Sequence, residues 1–445
     1  MLYSITRTVL DNGLTVLSRE MHHAPVTTFM VWYRVGSRNE RAGITGISHW
    51  IEHMMFKGTP QFPGEEMERL ISREGGIWNA FTWLDFTAYY ETMPADRIDL
   101  ALRLEADRMI NTEMNEGAVE SERTVILSER AMYENKPHFL LDEELTAAAF
   151  RVHPYHHEII GDAVDLQTMT REDLFNFYRR HYVPNNAIIV VVGDFETKEM
   201  IARITQLFGS IRPGETTSPV RRVEPTQLGE RRVVVHGPGD TAYLNVAFRV
   251  PGAGHPDYPP LSLLNAALAG GSSLGMFAGG GSNRSSRLYK SLVLTELAAG
   301  AYGSLAPTID PFLYTINAVI RSGRIINEVE EALDIELARL ESEPITPVEL
   351  AKALKRARAH FIMAGESITG QAQLIGAAEA TTGDHQWFES VLERLGEVTL
   401  DDIDRVRRTY LHSRNRTVGW YVPEGVYQSP NSLSMLELGT DEQSA

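Results

Sequence analysis

The 445-residue sequence predicts an α+β fold, with two similar α/β-layer domains that arise from an internal duplication. Strand-like runs follow one another without an obligatory helix between them, which favours an α+β arrangement over a doubly wound parallel sheet. One helix-and-strand pattern occurs twice, 228 or 229 residues apart. Between the two copies, residues 209–230 hold three prolines and three glycines, a composition typical of a linker.

Apolar and β-branched runs predict the strands, and amphipathic spacing predicts the helices. In the first half the predicted strands are 26–35, 86–92 and 187–192. In the second half they are 233–235, 242–250, 312–320 and 417–422, with acidic helices near 325–340 and 347–363.

The repeated pattern is a helix that leads into a strand. The first copy opens at Thr170, closes at Tyr182 and precedes the strand at 187–192. The second opens at Thr399, closes at Tyr410 and precedes the strand at 417–422. Each threonine is followed by two acidic residues within three positions, a sequence suited to a helix N-cap. A duplication explains the match better than coincidence. It predicts domains at 1–208 and 231–430, the linker at 209–230, and a loose polar tail at 431–445.

Composition excludes several classes of protein. The hydrophobic content of 43% is ample for two cores, and no apolar run approaches the ~20 residues of a membrane helix. The N-terminus lacks the pattern of a signal peptide, so we expect a cytoplasmic, bacterial-type protein. The absence of cysteine excludes disulfides. A formal charge of −17 argues against nucleic acid as a partner. It would suit a cavity that attracts basic or unfolded segments, although general acidity often serves only solubility.

The segment His49-Trp50-Ile51-Glu52-His53 carries the clearest chemical signal. At roughly 100° per residue, its two imidazoles and its carboxylate project within an arc of roughly 100° on one helix face. That arrangement suits two nitrogen ligands and a base facing one metal ion. The order H-x-x-E-H is the reverse of H-E-x-x-H and marks the inverzincins among zinc peptidases. The alternative is an amphipathic helix with two histidines on a partly buried face.

A zinc site needs a third protein ligand, and without cysteine this must be a carboxylate or another histidine. Glu122 and Glu129 lie two helical turns apart on one face. Val119 and Ile126 lie along the same stripe, so this helix can pack on a core while it directs Glu129 inward.

These segments resemble the pitrilysin/insulinase superfamily, most closely the subfamily of mitochondrial processing peptidase and its bacterial relatives. The residues from His49 to Thr59 are similar to the signature H-x-x-E-H-x-x-F-K-G-T, and E-R-x-V-I-x-x-E at 122–129 ends at Glu129, 76 residues after His53. The resemblance implies one zinc ion per chain bound by His49, His53 and Glu129. It also implies that Glu52 is the general base and that Glu122 orients a ligand histidine.

Other parts of the first half agree with the family. Residues 10–16 resemble its opening hairpin, with Asn12-Gly13 as the turn. Residues 75–82 and 85–90 resemble its paired strands beside the zinc, where substrate adds as an extra strand next to Asn79 and Ala80. The alternative for this pair is an ordinary hairpin inside a sheet. The resemblance spans nearly the whole chain and implies two domains that close like a clam around a chamber.

The second half departs from the family pattern. Self-sufficient members carry an arginine and, seven residues later, a tyrosine that hold the substrate carbonyl. Here Val293 occupies the position of that arginine. Counting back seven residues from the nearby Tyr302 gives Thr295, which is not an arginine either. This predicts a homologous partner subunit that supplies the missing pair, in a heterodimer or else in a homodimer. The glycines at 270–271 and 279–281 lack the Lys-Ser/Thr of a P-loop.

A second histidine cluster, His153, His156 and His157, resembles the structural His-Pro-Tyr loop of the family, and we expect packing there rather than a metal. His22 and His23 precede a strand and are expected to face solvent.

These features predict a zinc metalloendopeptidase that hydrolyses short or unfolded peptides. One alternative is a non-catalytic scaffold or assembly subunit, as some relatives in respiratory complexes have become. Another is a peptidase dedicated to a single precursor peptide. The retention of all four residues at the site favours the enzyme.

Overall fold

The structure, a computed structural model, describes residues 4–215, 219–271 and 283–424 of the chain. The predicted tail at 431–445, residues 425–430 of the second predicted domain and the glycines at 279–281 lie outside these ranges. No helix in the described ranges is both long enough and apolar enough to cross a membrane.

The first half forms a sheet with strand order β1-β2-β6-β3-β5-β4, in which only β2 and β6 pair in parallel. Its elements in chain order are β1 (Thr6–Val9), β2 (Thr15–Glu20), β3 (Val26–Tyr33), α1 (Ile47–Met54), α2 (Gly64–Arg73), β4 (Ile77–Thr82), β5 (Thr87–Pro94), α3 (Asp99–Asn111), α4 (Glu116–Glu134), α5 (Pro137–Ala149), α6 (Ala163–Thr168), α7 (Arg171–His181), β6 (Ala187–Gly193) and α8 (Thr197–Phe208).

The second half forms a five-stranded sheet with order β7-β11-β8-β10-β9, in which only β7 and β11 pair in parallel. Its elements are β7 (Arg231–Gly237), β8 (Tyr243–Val250), α9 (Tyr258–Leu268), β9 (Ala298–Leu305), β10 (Phe312–Ile320), α10 (Ile326–Ser342), α11 (Pro347–Ala364), α12 (Ile368–Thr382), α13 (Trp387–Glu397), α14 (Leu400–Tyr410) and β11 (Arg416–Pro423). A single π-helical segment, Tyr289–Val293, precedes β9.

The two sheets confirm the predicted duplication. Strands β2-β6-β3-β5-β4 and β7-β11-β8-β10-β9 have the same order, with one parallel pair at the same place in each. The matching helices α7 and α14 both begin with a capping box, made by Thr170 with Asp173 and by Thr399 with Asp402. The α+β class with two similar domains is therefore correct. Residues 209–230 lie between α8 and β7, and their described part holds neither helix nor strand. The exact domain boundaries stay a prediction.

Each half covers one face of the other half's sheet. Helix α5 of the first half packs on β7, β8 and β11, while α12 of the second half packs on β3 and β6. Gly376 on α12 lies against the indole of Trp32, where any Cβ would clash. Similarly, Gly419 on β11 lies against Leu141 and Leu145 of α5. Helices α5 and α12 occupy the same position in the two halves. Each half therefore contributes the equivalent helix to the sheet of the other half.

The core of the first half determines where α1 and α4 lie. Trp50 and Ile51 of α1 are fully buried, as are Val119 and Ile126 of α4, which confirms the predicted apolar stripe. Each fully buried side chain of this size contributes about 1.5–3 kcal/mol. With these faces in the core, the opposite face of α1 is directed towards α4.

Candidate metal centre

Helix α1 begins in an unusual way that orients its polar face. Its N-cap, Gly46, has φ of +84°, in the left-handed region that favours glycine. The carboxylate of Glu40 accepts the N–H groups of Gly46 and Ser48 at 2.7 and 2.9 Å. Glu40 thus satisfies two of the free donors at this helix start from the loop that leads into the helix. Its Oε2 also lies 2.9 Å from Nε2 of His157.

The three predicted ligands lie together. Nε2 of His49 is 3.8 Å from Oε2 of Glu129, and Nε2 of His53 is 3.6 Å from the same oxygen. Among the described residues these three are the only His, Cys, Asp or Glu group whose ligand atoms converge, with all of those atoms within 4.8 Å of one another. Two ligand atoms of a tetrahedral zinc ion, each about 2.0–2.1 Å from it, stand roughly 3.3–3.5 Å apart. The residues present therefore fit zinc in both kind and spacing.

The two histidines differ in their electrostatics. Burial, with the charge of His53 as a lesser cause, lowers the pKa of His49 to about 3, so its imidazole is neutral and able to bind a metal. Burial alone would lower the pKa of His53 as well. The hydrogen bond with Glu122 and the charges of Glu52, Glu122 and Glu129 outweigh burial and raise it. A metal at Nε2 therefore competes with a proton more strongly at His53 than at His49.

Glu122 holds His53 in the orientation that a ligand needs. Oε1 of Glu122 lies 2.8 Å from Nδ1 of His53, so Nδ1 donates and Nε2 faces Glu129. Lys57 forms an ion pair with the other oxygen of Glu122. Burial opposes ionisation of Glu122, but the bonds to His53 and Lys57 outweigh it and lower its pKa. Carboxylates that orient a ligand histidine in this way are usual at zinc sites.

Glu52 projects from the same helix and has a different environment. Burial raises its pKa to about 6, against the opposing hydrogen bond from Thr82. The Thr82 hydroxyl donates to Oε2 of Glu52 at 2.6 Å, which leaves lone pairs of Oε1 for a second partner. A carboxyl group with a pKa near neutrality can both accept and return a proton.

The predicted substrate strand lies at the sheet edge. Asn79 and Ala80 are on β4, which pairs only with β5 within the described sheet. Asn79 is exposed, and its side-chain oxygen accepts the N–H of Ala80 at 2.8 Å. Edge strands present unpaired backbone groups that another chain can use. The same strand ends at Thr82, so this edge and the partner of Glu52 belong to one element.

Three other histidines of the first half have carboxylate partners. His153 lies 3.0 Å from Oδ2 of Asp310, and His157 pairs with Glu40. His22 is exposed and lies 2.7 Å from Oδ1 of Asp194. These contacts agree with the expectation of packing for the cluster at 153–157 and of solvent exposure for His22.

Three residues of the second half were considered for the missing arginine and tyrosine, and the structure shows the surroundings of each. Val293 ends the π-helical segment and packs against the core of this half. Thr295 is exposed and donates to the Ser291 carbonyl at 2.6 Å. Tyr302 lies on β9, where burial and the neighbouring Asp142 and Tyr243 raise its pKa.

Four residues that support the site were assigned no role by the sequence. Thr82 and Lys57 stand inside the segments that resembled the family, but the resemblance assigned neither of them. Tyr133 lies one turn after Glu129, and burial together with Glu129 raises its pKa. That i, i+4 spacing on α4 is a signal that could have identified it. Glu40 gave no such signal in the sequence, because its contacts with α1 depend on the path of the loop that leads into the helix.

Comparison with known proteins adds to this geometry. The profile described as Insulinase (Peptidase family M16) matches residues 15–163, and the one described as Peptidase M16 inactive domain matches residues 168–357. Zinc protease PqqE of Helicobacter pylori is 30% identical over 424 residues, covering 93% of this chain and 92% of that protein. The probable mitochondrial-processing peptidase subunit beta of Schizosaccharomyces pombe is 30% identical over 406 residues, covering 90% and 87%. A crystal structure of a protease from Helicobacter pylori has a TM-score of 0.88 and 27% identity, covering 95% of this chain and 100% of that one.

Proposed function

The chain belongs to the insulinase family, peptidase family M16, and we propose that it is a catalytically competent zinc metalloendopeptidase acting on short or unfolded peptides. One observation carries the proposal. The ligand atoms of His49, His53 and Glu129 converge within 4.8 Å, and the half-buried carboxylate of Glu52 projects from the same helix as the two histidines. A chain that served only as a scaffold would have no need to keep this set intact.

The roles of the residues follow from their positions. His49, His53 and Glu129 would hold the zinc ion, which would supply a Lewis acid to polarise a carbonyl and acidify a water molecule. Glu52 accepts a proton from the attacking water and returns it to the leaving amine, a cycle that its pKa of about 6 suits. Thr82 holds Oε2 of Glu52 during this exchange. Glu122 keeps Nε2 of His53 directed at the site.

The proposed substrate binds as an added strand on β4, beside Asn79 and Ala80. Pairing through the main chain accepts any extended segment, whatever its side chains. A folded protein cannot present such a segment without unfolding locally, which limits the substrates to short or unfolded peptides.

A homologous partner subunit is part of the proposal. Val293 and Thr295 stand where the family pattern would place an arginine, and neither side chain can donate as a guanidinium does. One relative is named as the beta subunit of a mitochondrial-processing peptidase. Assay of the purified chain alone, with its mass in solution measured, tests this part. Strong activity from a monomer would contradict it. The cytoplasmic location expected from the sequence stays a prediction.

The deciding experiment is Glu52→Gln, assayed with the partner present if one is required. Glutamine keeps an oxygen to accept the Thr82 hydroxyl but cannot take up a proton. We expect one zinc per chain by elemental analysis in both proteins and at least about a 10²-fold loss of peptidase activity in the variant. Glu66→Gln, at an exposed position on α2, is the matched control and should keep full activity. Undiminished activity in Glu52→Gln would exclude the assigned base, and a wild-type chain that binds no zinc would exclude the enzyme.

A further inference from the structure

A cavity of about 380 Å³ lies where the segment at 219–230 passes between the two halves. Its walls come from Phe150 and His153 of the first half, from the connecting segment, and from β8 and the loops near Asp310 and Tyr410 of the second. The volume falls in the range of small-molecule sites, which often form at domain interfaces. None of the four residues of the metal centre lines it.

The guanidinium of Arg249 lies at this cavity and does not have a full set of hydrogen-bond partners. Its side chain is only 12% exposed, yet its guanidinium forms no hydrogen bond with any residue in the described ranges, and its nearest carboxylate oxygen, on Glu224, is 3.6 Å away. Glu224 already accepts the backbone N–H groups of residues 151, 152 and 153 at 2.8–3.1 Å. A guanidinium has five donors, so Arg249 can still bind an anion bidentately.

Gln227 supplies a second polar group. Its side chain is 5% exposed, and its amide nitrogen donates to the carbonyls of Gly229 and Arg416. Its Oε1 is buried without a hydrogen-bond partner in the described part of the chain. A buried acceptor without a partner is destabilising, so a donor on a ligand or a bound water would be stabilised here.

Apolar side chains complete the walls. Phe150, Val220, Val250 and Pro311 all line the cavity. We propose that this cavity binds a small organic anion, with a carboxylate or sulfonate group on Arg249 and an apolar body against Phe150, Val220 and Pro311. The inference rests on the cavity alone and is independent of the peptidase proposal.

Such a ligand would join the two halves. Asp310 lines the cavity and already links the second half to the first, with its Oδ2 2.6 Å from the Arg38 guanidinium and 3.0 Å from His153. A ligand that contacts the connecting segment and both halves binds only when they are assembled. It therefore stabilises the assembled chain by RT ln(1 + [L]/Kd).

The probe is 8-anilinonaphthalene-1-sulfonate, which carries a sulfonate on an apolar body and fluoresces when it leaves water. We expect one molecule to bind per wild-type chain and to raise the melting temperature. Arg249→Met should weaken binding about tenfold or more, the loss expected for a charge-assisted hydrogen bond. Val220→Trp should block binding by filling the cavity, and it tests the site even if Arg249→Met folds poorly. Arg179→Met, at an exposed position on α7, is the matched control and should bind as wild type does.

Equal binding by wild type, Arg249→Met and Val220→Trp would overturn the proposal, because the probe would then lie elsewhere. Absence of stoichiometric binding to wild type would overturn it too. Neither result would bear on the zinc content or the peptidase activity, which are measured separately.

Discussion

The two halves of the chain share one architecture and differ in a few side chains. Helix α1 leaves His49, Glu52 and His53 partly exposed, while every residue of its counterpart α9 is buried. Counted from the helix starts, those three positions hold Pro260, Leu263 and Leu264 in α9. The second half therefore uses this helix for its core, and the first half keeps one face of it open for chemistry.

The partner helices differ in the same way. The buried stripes of α4 and α11 coincide when counted from their N-caps, Asn115 and Thr346. On that count, Glu122 corresponds to buried Ala353, and Glu129 to exposed His360. Among the described residues, the duplicated scaffold thus carries the proposed metal ligands in one copy only, because the proposed function depends on side chains that the fold tolerates but does not require.

The largest predicted effect comes from removing one proposed metal ligand, which makes the first half resemble the second half. His49→Ala or Glu129→Ala leaves two of the three protein ligands, so we expect zinc to be lost and peptidase activity to fall to background. Zinc per chain after dialysis against a weak chelator is the measurement.

His360→Ala is the matched change in the second half. It removes an exposed side chain at the position that corresponds to Glu129, and both zinc and activity should be unchanged. Full zinc occupancy in His49→Ala or Glu129→Ala would show that the ligand assignment is wrong.

A smaller effect is expected at Glu122, whose counterpart is already alanine. Glu122→Ala removes the acceptor for Nδ1 of His53 and the partner of Lys57. We expect zinc affinity to fall by about 10–100-fold, as for other residues that orient a ligand. Competition with a chromogenic chelator measures this affinity.

Glu120→Ala is the control, since Glu120 lies on the same helix with its side chain 65% exposed. Unchanged affinity in Glu122→Ala would mean that the bond to His53 does not influence the metal.

The sequence predicted the repeated scaffold well, and the three residues proposed as ligands lie together in the structure. Periodicity placed β10 at 312–320 and α11 within a residue of its end, because long elements carry many consistent residues. The motif located His49, Glu52 and His53 because they lie on one short helix. The contacts of Glu40 could not be predicted, because they depend on the path of the loop before α1. Nor could the packing of α5 and α12 on the opposite half, because it joins residues that are distant in sequence. Spacing carries information only within an element.

The junction between the halves predicts an acid-dependent loss of stability. Burial opposes ionisation of Asp310, but the hydrogen bonds with His153 and Arg38 outweigh it and lower its pKa to about 2. A carboxylate with a depressed folded pKa stabilises the fold above its unfolded pKa, near 4, and loses that contribution as the pH falls from about 4 to 2. Asp310→Asn should therefore lower the free energy of unfolding by about 1–2 kcal/mol at neutral pH and progressively less below pH 4.

Urea unfolding of wild type and variant, at several pH values, gives this difference. Asp96→Asn, with its side chain 76% exposed, is the control and should show little difference at any pH. A difference for Asp310→Asn that stayed constant between pH 7 and pH 3 would exclude the ionised pair as its cause.

The smallest effect tests whether the two halves are equal as scaffolds. Thr170 and Thr399 each accept an N–H at 3.2 Å, from Asp173 and Asp402, at the starts of α7 and α14. Alanine at either position should cost about 1 kcal/mol of unfolding free energy, and serine should restore most of it. Because α5 and α12 interlock the sheets, we expect both alanine variants to shift one shared transition by the same amount, with zinc content unchanged. Two separate transitions, or a shift several times larger for one cap, would mean that the two halves are unequal scaffolds and that their similarity ends at their topology.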